Sequence, residues 1–204
     1  MGIFGGTFDP IHYGHLRVVE EVRKRFLIEK ILFIPSSRPP HKKEMRITDA
    51  AIRFEMVALA LEEFPHFEIS EFELKKEGLS FTIETLEALK KENSDHELFL
   101  IMGVDQMLEI NTWKDPERIL QLSEVVVMSR PGYEKERKAL IFPSANRIKM
   151  DFGKNSYLAH WVDVSPIEIT STLIREKIRK SESIRGLLPD KVEAYIQKKG
   201  LYKQ

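Results

Sequence analysis

The sequence predicts an α/β fold: a doubly wound, mostly parallel sheet with helices on both faces and a small C-terminal helical part. Three observations lead there. Short apolar runs alternate with segments of helical periodicity, the pattern of repeated strand–helix–strand units. Two runs, ELFLIM from Glu97 and EVVVMS from Glu124, are nearly continuous in apolar residues, as strands covered on both faces are. The polar motifs fall at strand ends or helix starts, where open parallel sheets bind their ligands.

Taken in order, Met1 to Phe4 reads as a short strand running into Gly5-Gly6. Residues 13 to 26 read as a helix, because Leu16, Val19, Val22 and Phe26 recur on one stripe. KILFIP, Lys30 to Pro35, is a strand, and Ser36 to Thr48 is a polar loop rich in Pro, Lys and Arg. Asp49 is placed to cap a helix reaching about Phe64. Phe67 to Leu74 reads as extended, and a further helix starts at Ser80 or Thr82 and reaches about Asn93. Between the two apolar strands, Gly103 to Leu122 predicts two short helices broken at Asp115-Pro116. Tyr157 to Val164 is the last strand, followed by helices Ser171 to Arg179 and Asp190 to Lys199, the latter ended by Gly200. One domain, residues 1–204, with a helical extension from about 170 to 204, suits this length.

Bulk composition narrows the function. Lys plus Arg and Asp plus Glu both number 32, so there is no general basic field to attract nucleic acid. An anion site must therefore be built locally. There is no cysteine, hence no disulfide framework and no thiolate chemistry, in keeping with a reducing cytoplasm. No apolar run reaches the length of a membrane span, and the N-terminus lacks the pattern of a signal peptide.

The segment GGTFDPIHYGHL, Gly5 to Leu16, runs from a strand end into a helix start. Gly5 and Gly6 let backbone approach a ligand closely. His12 and His15, three positions apart, share a helix face, and Gly14 between them removes a side chain from the approach. A helix N-terminus adds N–H groups and partial positive charge. The product is a small anion trap with two imidazoles. No GxxxxGK[ST] string is present and no GxGxxG follows the first strand, which disfavours P-loop enzymes and dinucleotide-dependent dehydrogenases. ITSTLIR, Ile169 to Arg175, is a second helix opening: Ser171 and Thr172 are natural caps, and Arg175 lies one turn on.

GxFDPxHxGH, matched at His12, Gly14 and His15, resembles the hallmark of the nucleotidyltransferases related to class I aminoacyl-tRNA synthetases. ITSTLIR is similar to that superfamily's triphosphate-binding ISSTxxR, with Thr170 where Ser is usual. The likeness is nearest to bacterial nicotinate mononucleotide adenylyltransferases and extends over essentially the whole chain. It implies a Rossmann-like sheet and an ATP site drawn from Gly5, Gly6, Thr7, Phe8, His12, His15, Gly103, Asp105, Ile169, Ser171, Thr172 and Arg175. Of these, His12, His15 and Arg175 would carry catalysis.

For the acceptor, the loop SSRPPHK from Ser36 resembles that family's SxxPPHK. The resemblance assigns Lys42 to phosphate contact, and Arg46 offers a second cation. GLSFTIETL, from Gly78, is similar to GxSYTxxTL, with Phe81 in place of Tyr. Thr82 would then hold the pyridine carboxylate at a helix start. Asp105 follows a strand end, placed to accept from ribose hydroxyls; Trp113 offers a stacking face, and Arg130 follows the next strand. The tail from Ile184 to Tyr202 matches the family's ending and reads as packing.

The resemblance implies direct in-line attack of the acceptor phosphate on the α-phosphorus of ATP, with Mg2+ held mainly by substrate phosphates. It leaves a homo-oligomeric assembly open. The rivals are phosphopantetheine adenylyltransferase, a dual-specificity enzyme that also takes nicotinamide mononucleotide, a cytidylyltransferase, and a nucleotide sensor without turnover.

Overall fold

The computed structural model describes residues 1–37, 47–76, 78–92, 95–130, 132–133, 135, 141–142, 146–152, 154–165 and 167–203. In chain order the strands are β1 (Gly2–Gly6), β2 (Ile31–Pro35), β3 (Phe67–Ile69), β4 (Phe99–Gly103), β5 (Glu124–Met128), β6 (Ile141–Phe142), β7 (Arg147–Phe152) and β8 (Asn155–Val162). The helices are α1 (Tyr13–Arg25), α2 (Ala50–Leu61), α3 (Phe72–Lys75), α4 (Thr82–Glu92), α5 (Val104–Leu108), α6 (Pro116–Leu122), α7 (Ser171–Arg179) and α8 (Asp190–Lys199). The chain forms two compact units.

The first unit holds Met1–Gly5, Glu21–Ile31 and Phe81–Pro166. Its strands run in the order β1, β4, β5, β8, β7, β6. The first four are parallel, with Ile3 beside Leu100, Leu100 beside Val125 and Val126 beside His160. Leu100, Val125, Val126 and Val127 are all buried, which is why these strands are apolar at successive positions. Asp115, in left-handed backbone at φ 48°, turns the chain into α6, whose first residue is Pro116.

The hairpin of β7 with β8 departs from expectation. The last strand begins at Asn155 rather than Tyr157, and β7 pairs antiparallel along its whole length. β7 reads RIKMDF: Ile148 and Met150 are buried, while Lys149 and Asp151, alternating with them, are exposed. Period-two alternation marks a strand with one wet face, and a search for continuous apolar runs passes over it.

The second unit holds Gly6–Glu20, Leu32–Ser80 and Ile167–Gln204. β2 and β3 are neighbours, continued by a bond from Ser70 N to Phe33 O of 2.9 Å. The segment expected to be extended from Phe67 to Leu74 is a strand only to Ile69, then a single turn of helix at α3. The Ser70 hydroxyl accepts from Phe72 N and stops the strand there. Asp49 caps α2 as predicted, accepting from Ala51 N at 2.8 Å. α2 and α8 are joined by Tyr195 with Glu55 and Lys191 with Glu62. Burial and the Glu55 carboxylate push the Tyr195 phenol up to about 12. Among the described residues, no helix is long and apolar enough to cross a membrane.

Candidate active site

The segment holding Asp9 and Pro10 and the α7 start, 161 or more positions apart, meet within the second unit. β1 ends at Gly6, whose carbonyl accepts from both Ser36 N (2.9 Å) and Ser36 Oγ (3.0 Å). The chain then turns through Phe8, which is buried yet adopts left-handed backbone at φ 49°. A bulky side chain held there is strained and persists only where its surroundings over-determine it. Here the Phe8 ring packs on Phe33 and meets the His15 ring edge-on at 5.2 Å.

His12 opens α1 with its carbonyl accepting from His15 N (2.9 Å) and Leu16 N (3.3 Å). Its Nδ1 also receives the His15 N–H, at 3.4 Å. An accepting Nδ1 puts the neutral ring's proton on Nε2, making that nitrogen a donor. The two imidazoles stack with centroids 3.7 Å apart. His12 is buried and His15 half-buried.

α7 is fastened to this loop at two points. Ser171 Oγ donates to Pro10 O at 2.8 Å, and Arg175 Nη1 donates to Asp9 O at 2.7 Å. Arg175 Nη2 also reaches Thr172 Oγ1 at 3.3 Å. The capping oxygen is that of Thr170, which accepts from Leu173 N at 3.0 Å, rather than that of Ser171 or Thr172. Thr170 has the extended backbone an N-cap needs, while Ser171 already lies inside the helix. Ser171 thus spends its hydroxyl proton on the loop.

Gly14 is required by this closure. A Cβ there would lie 2.8 Å from His12 Nδ1 and 2.9 Å from the Ile169 carbonyl oxygen. The second contact is to backbone, which cannot swing aside as a side-chain tip can. Gly14→Ala is expected to cost about 1–3 kcal/mol through overpacking. For a chain of this size that lowers Tm by roughly 2–12 °C. An unchanged melting temperature would show that α1 and the Ile169 segment have slack the geometry denies them.

Three residues not singled out from the sequence hold the loop from behind. Arg53 is 1% exposed, and its guanidinium donates to Thr48 O (2.8 Å), Thr7 O (2.7 Å) and Ser37 O (3.2 Å). Asp9, also buried, accepts from Thr48 N (3.2 Å) and from the Tyr202 hydroxyl (2.6 Å). Burial pulls the Arg53 pKa down and the Asp9 charge opposes that. Tyr202 therefore does more than pack, as the tail was expected to. One signal for Arg53 was present: it shares the helical stripe of Met56, Val57 and Ala60, all buried.

The first unit gathers a second set. A Cβ on Gly103, at the end of β4, would lie 2.4 Å from Asp105 Oδ1 and 3.0 Å from Arg130 Nε. Asp105 Oδ2 accepts from Arg130 Nη1 at 3.1 Å, while Asp105 Oδ1 is a buried acceptor with no donor among the described residues. Thr82 is the first residue of α4. Lys114 pairs with Glu84 at 2.7 Å and lies over the Phe81 ring, so it ties the α4 start to the Trp113 segment. The tryptophans differ: Trp161 is buried, its Nε1 donating to Asp163, whereas Trp113 is half-buried. Gly5 has open space around its Cβ direction. Lys42 and Arg46 lie outside the described residues. Among the described residues, no group of three or more His, Asp or Glu is arranged to hold a metal ion.

The Cytidylyltransferase-like family model matches residues 3–177. A protein of Desulfitobacterium hafniense named "Probable nicotinate-nucleotide adenylyltransferase" is 39% identical over all of this chain and 95% of its own length. One of the same name from a Thermoanaerobacter species is 42% identical, over all of this chain and 94% of its own. Among solved structures, Plasmodium falciparum nicotinic acid mononucleotide adenylyltransferase complexed with NaAD superposes with TM-score 0.74 at 18% identity, covering 98% of this chain and 96% of its own. At that identity the likeness speaks for the fold.

Proposed function

Since this chain belongs to the Cytidylyltransferase-like family, and within it to the nicotinate-nucleotide adenylyltransferases, we propose that it transfers the adenylyl group of ATP to nicotinate mononucleotide. The products are nicotinate adenine dinucleotide and pyrophosphate, a step in NAD biosynthesis. One observation carries the assignment of the ATP site: Arg175 and Ser171 bond to the carbonyls of Asp9 and Pro10, so imidazoles and guanidinium belong to one cradle.

In the proposed reaction an acceptor phosphate oxygen attacks the α-phosphorus of ATP, and the bond from that phosphorus to the bridging α–β oxygen breaks. Negative charge grows on the leaving pyrophosphate. His12 and His15 hold the α- and β-phosphates, and Arg175 with the α7 start holds the β,γ end. No covalent enzyme intermediate is needed, so catalysis rests on positioning and charge stabilisation. The α7 dipole supplies about 0.3–1 kcal/mol. One donor aimed at developing charge supplies roughly 2.7–4 kcal/mol, so the side chains dominate.

Asp105 Oδ1, buried with no donor among the described residues, is the acceptor we assign to a ribose hydroxyl. Thr82, Trp113, Arg130, Lys42 and Arg46 make up the acceptor set. Mg2+ would be held mainly by the substrate phosphates and water, where it would neutralise part of their charge. A cytoplasmic location belongs to the same proposal, since ATP is a substrate.

The test is pyrophosphate release from ATP and Mg2+ with three acceptors in parallel: nicotinate mononucleotide, nicotinamide mononucleotide and 4′-phosphopantetheine. We expect nicotinate mononucleotide to give a kcat/KM at least about tenfold above the others, a margin worth about 1.4 kcal/mol. Release with phosphopantetheine alone, or with none of the three, overturns the proposal.

A further inference from the structure

We propose that Tyr202 is a positioning residue for the triphosphate cradle, its hydroxyl holding Asp9 so that the Asp9 carbonyl is set to anchor Arg175. The inference rests on the cradle assigned above and extends it to a residue 193 positions away from Asp9. The chain of contacts is short. Tyr202 donates to Asp9 Oδ1 at 2.6 Å, Thr48 N donates to Asp9 Oδ2 at 3.2 Å, and Asp9 O accepts from Arg175 Nη1 at 2.7 Å. Asp9 thus has one carboxylate oxygen on the segment after α8, one on the approach to α2, and its main-chain oxygen on α7.

Backbone conformation supports a demanded position rather than incidental packing. Tyr202 adopts left-handed backbone at φ 64°, and Phe8, next to Asp9, does so at φ 49°. Both are bulky non-glycine residues, for which that region is unfavourable unless the surroundings impose it. Both ends of the hydrogen bond therefore sit in or beside strained backbone. Burial and the Asp9 carboxylate hold the Tyr202 phenol well above its ordinary range, so it keeps its proton to donate. Without that donor, a buried carboxylate oxygen loses its partner and the loop bearing the Arg175 anchor is free to shift.

Tyr202→Phe keeps the ring and removes only the hydroxyl; Asp9→Ala and the double variant complete a cycle. Pyrophosphate release is measured across ATP at saturating nicotinate mononucleotide, and across nicotinate mononucleotide at saturating ATP. We expect Tyr202→Phe to lower kcat/KM for ATP by about tenfold, to leave KM for the acceptor within about twofold, and to add nothing in the Asp9→Ala background. A value for ATP within about twofold of wild type, or an equal loss with and without Asp9, overturns the proposal. A merely structural role would move both substrates together.

A second measurement does not depend on turnover. Amide hydrogen exchange of residues 7–15 in the nucleotide-free protein should quicken about tenfold in Tyr202→Phe. If wild type releases no pyrophosphate but this exchange quickens, the adenylyltransferase reading falls and the positioning role stands. If wild type turns over and the exchange is unchanged, the positioning role falls alone.

Discussion

His15→Ala is expected to lower kcat by about 10²–10³ while changing KM for ATP by only a few-fold. The basis is where charge appears. On the proposed reading, the phosphates of ATP already carry charge in the ground state that Arg175 and water can meet. In the transition state additional charge develops on the departing pyrophosphate, and a preorganised donor there contributes roughly 2.7–4 kcal/mol. An interaction stronger in the transition state than in the ground state shows in kcat, not in KM. His15 is well prepared for this. Its ring stacks on His12 at 3.7 Å and meets Phe8 edge-on at 5.2 Å, so its orientation is held from two sides. His15→Ala also removes a stacking surface from His12, so part of the loss will pass through His12. Steady-state pyrophosphate release over a range of ATP concentrations separates the two constants. A variant with near-normal kcat and a hundredfold higher KM would reduce His15 to a simple ATP-binding residue.

Arg53→Met is expected to destabilise the fold by about 3 kcal/mol, lowering Tm by roughly 6–12 °C. The guanidinium, 1% exposed, serves three carbonyls at once, those of Thr7, Ser37 and Thr48. Methionine fills similar space but donates to none of them. Charge-assisted bonds contribute about 1.5–3 kcal/mol each, so three suggest a larger loss. Two effects reduce it: the cost of burying the guanidinium vanishes along with its bonds, and part of the carbonyl surface regains water. Asp9 pulls the other way: its carboxylate, which offsets the burial penalty of Arg53, is left buried without that positive charge beside it. Arg53→Lys should recover little, because a single ammonium cannot match the planar fork. Thermal unfolding of both variants is the check. A drop of less than about 2 °C for Arg53→Met would mean that the carbonyls find other donors readily.

The strands from Phe99 and from Glu124, the α2 cap at Asp49, the break at Asp115-Pro116 and the Gly200 stop could all be read from the chain. Each is decided by neighbours a few positions apart: burial of successive strand residues, a side-chain oxygen over a helix start, a ring that fixes φ. The pairing of the His12 and His15 rings was legible for the same reason. His12, Gly14 and His15 share one helix opening, and a spacing of three places two side chains on one face of it. β7 was not legible because charged and apolar residues alternate in it, the mark of a strand with one wet face rather than of a parallel strand buried on both.

Other features existed only once the chain had folded. Thr170, not Ser171, caps α7, because Ser171 has found Pro10 161 positions away. Arg53, not singled out from the sequence, has its place only where Thr7, 46 positions back, supplies a carbonyl. Tyr202 looked like tail packing until Asp9 met its hydroxyl. Periodicity and motif spacing report what lies within a turn or a strand of a residue. Which distant carbonyl or carboxylate a buried donor reaches depends on where packing brings the chain back, and only the tertiary structure decides that.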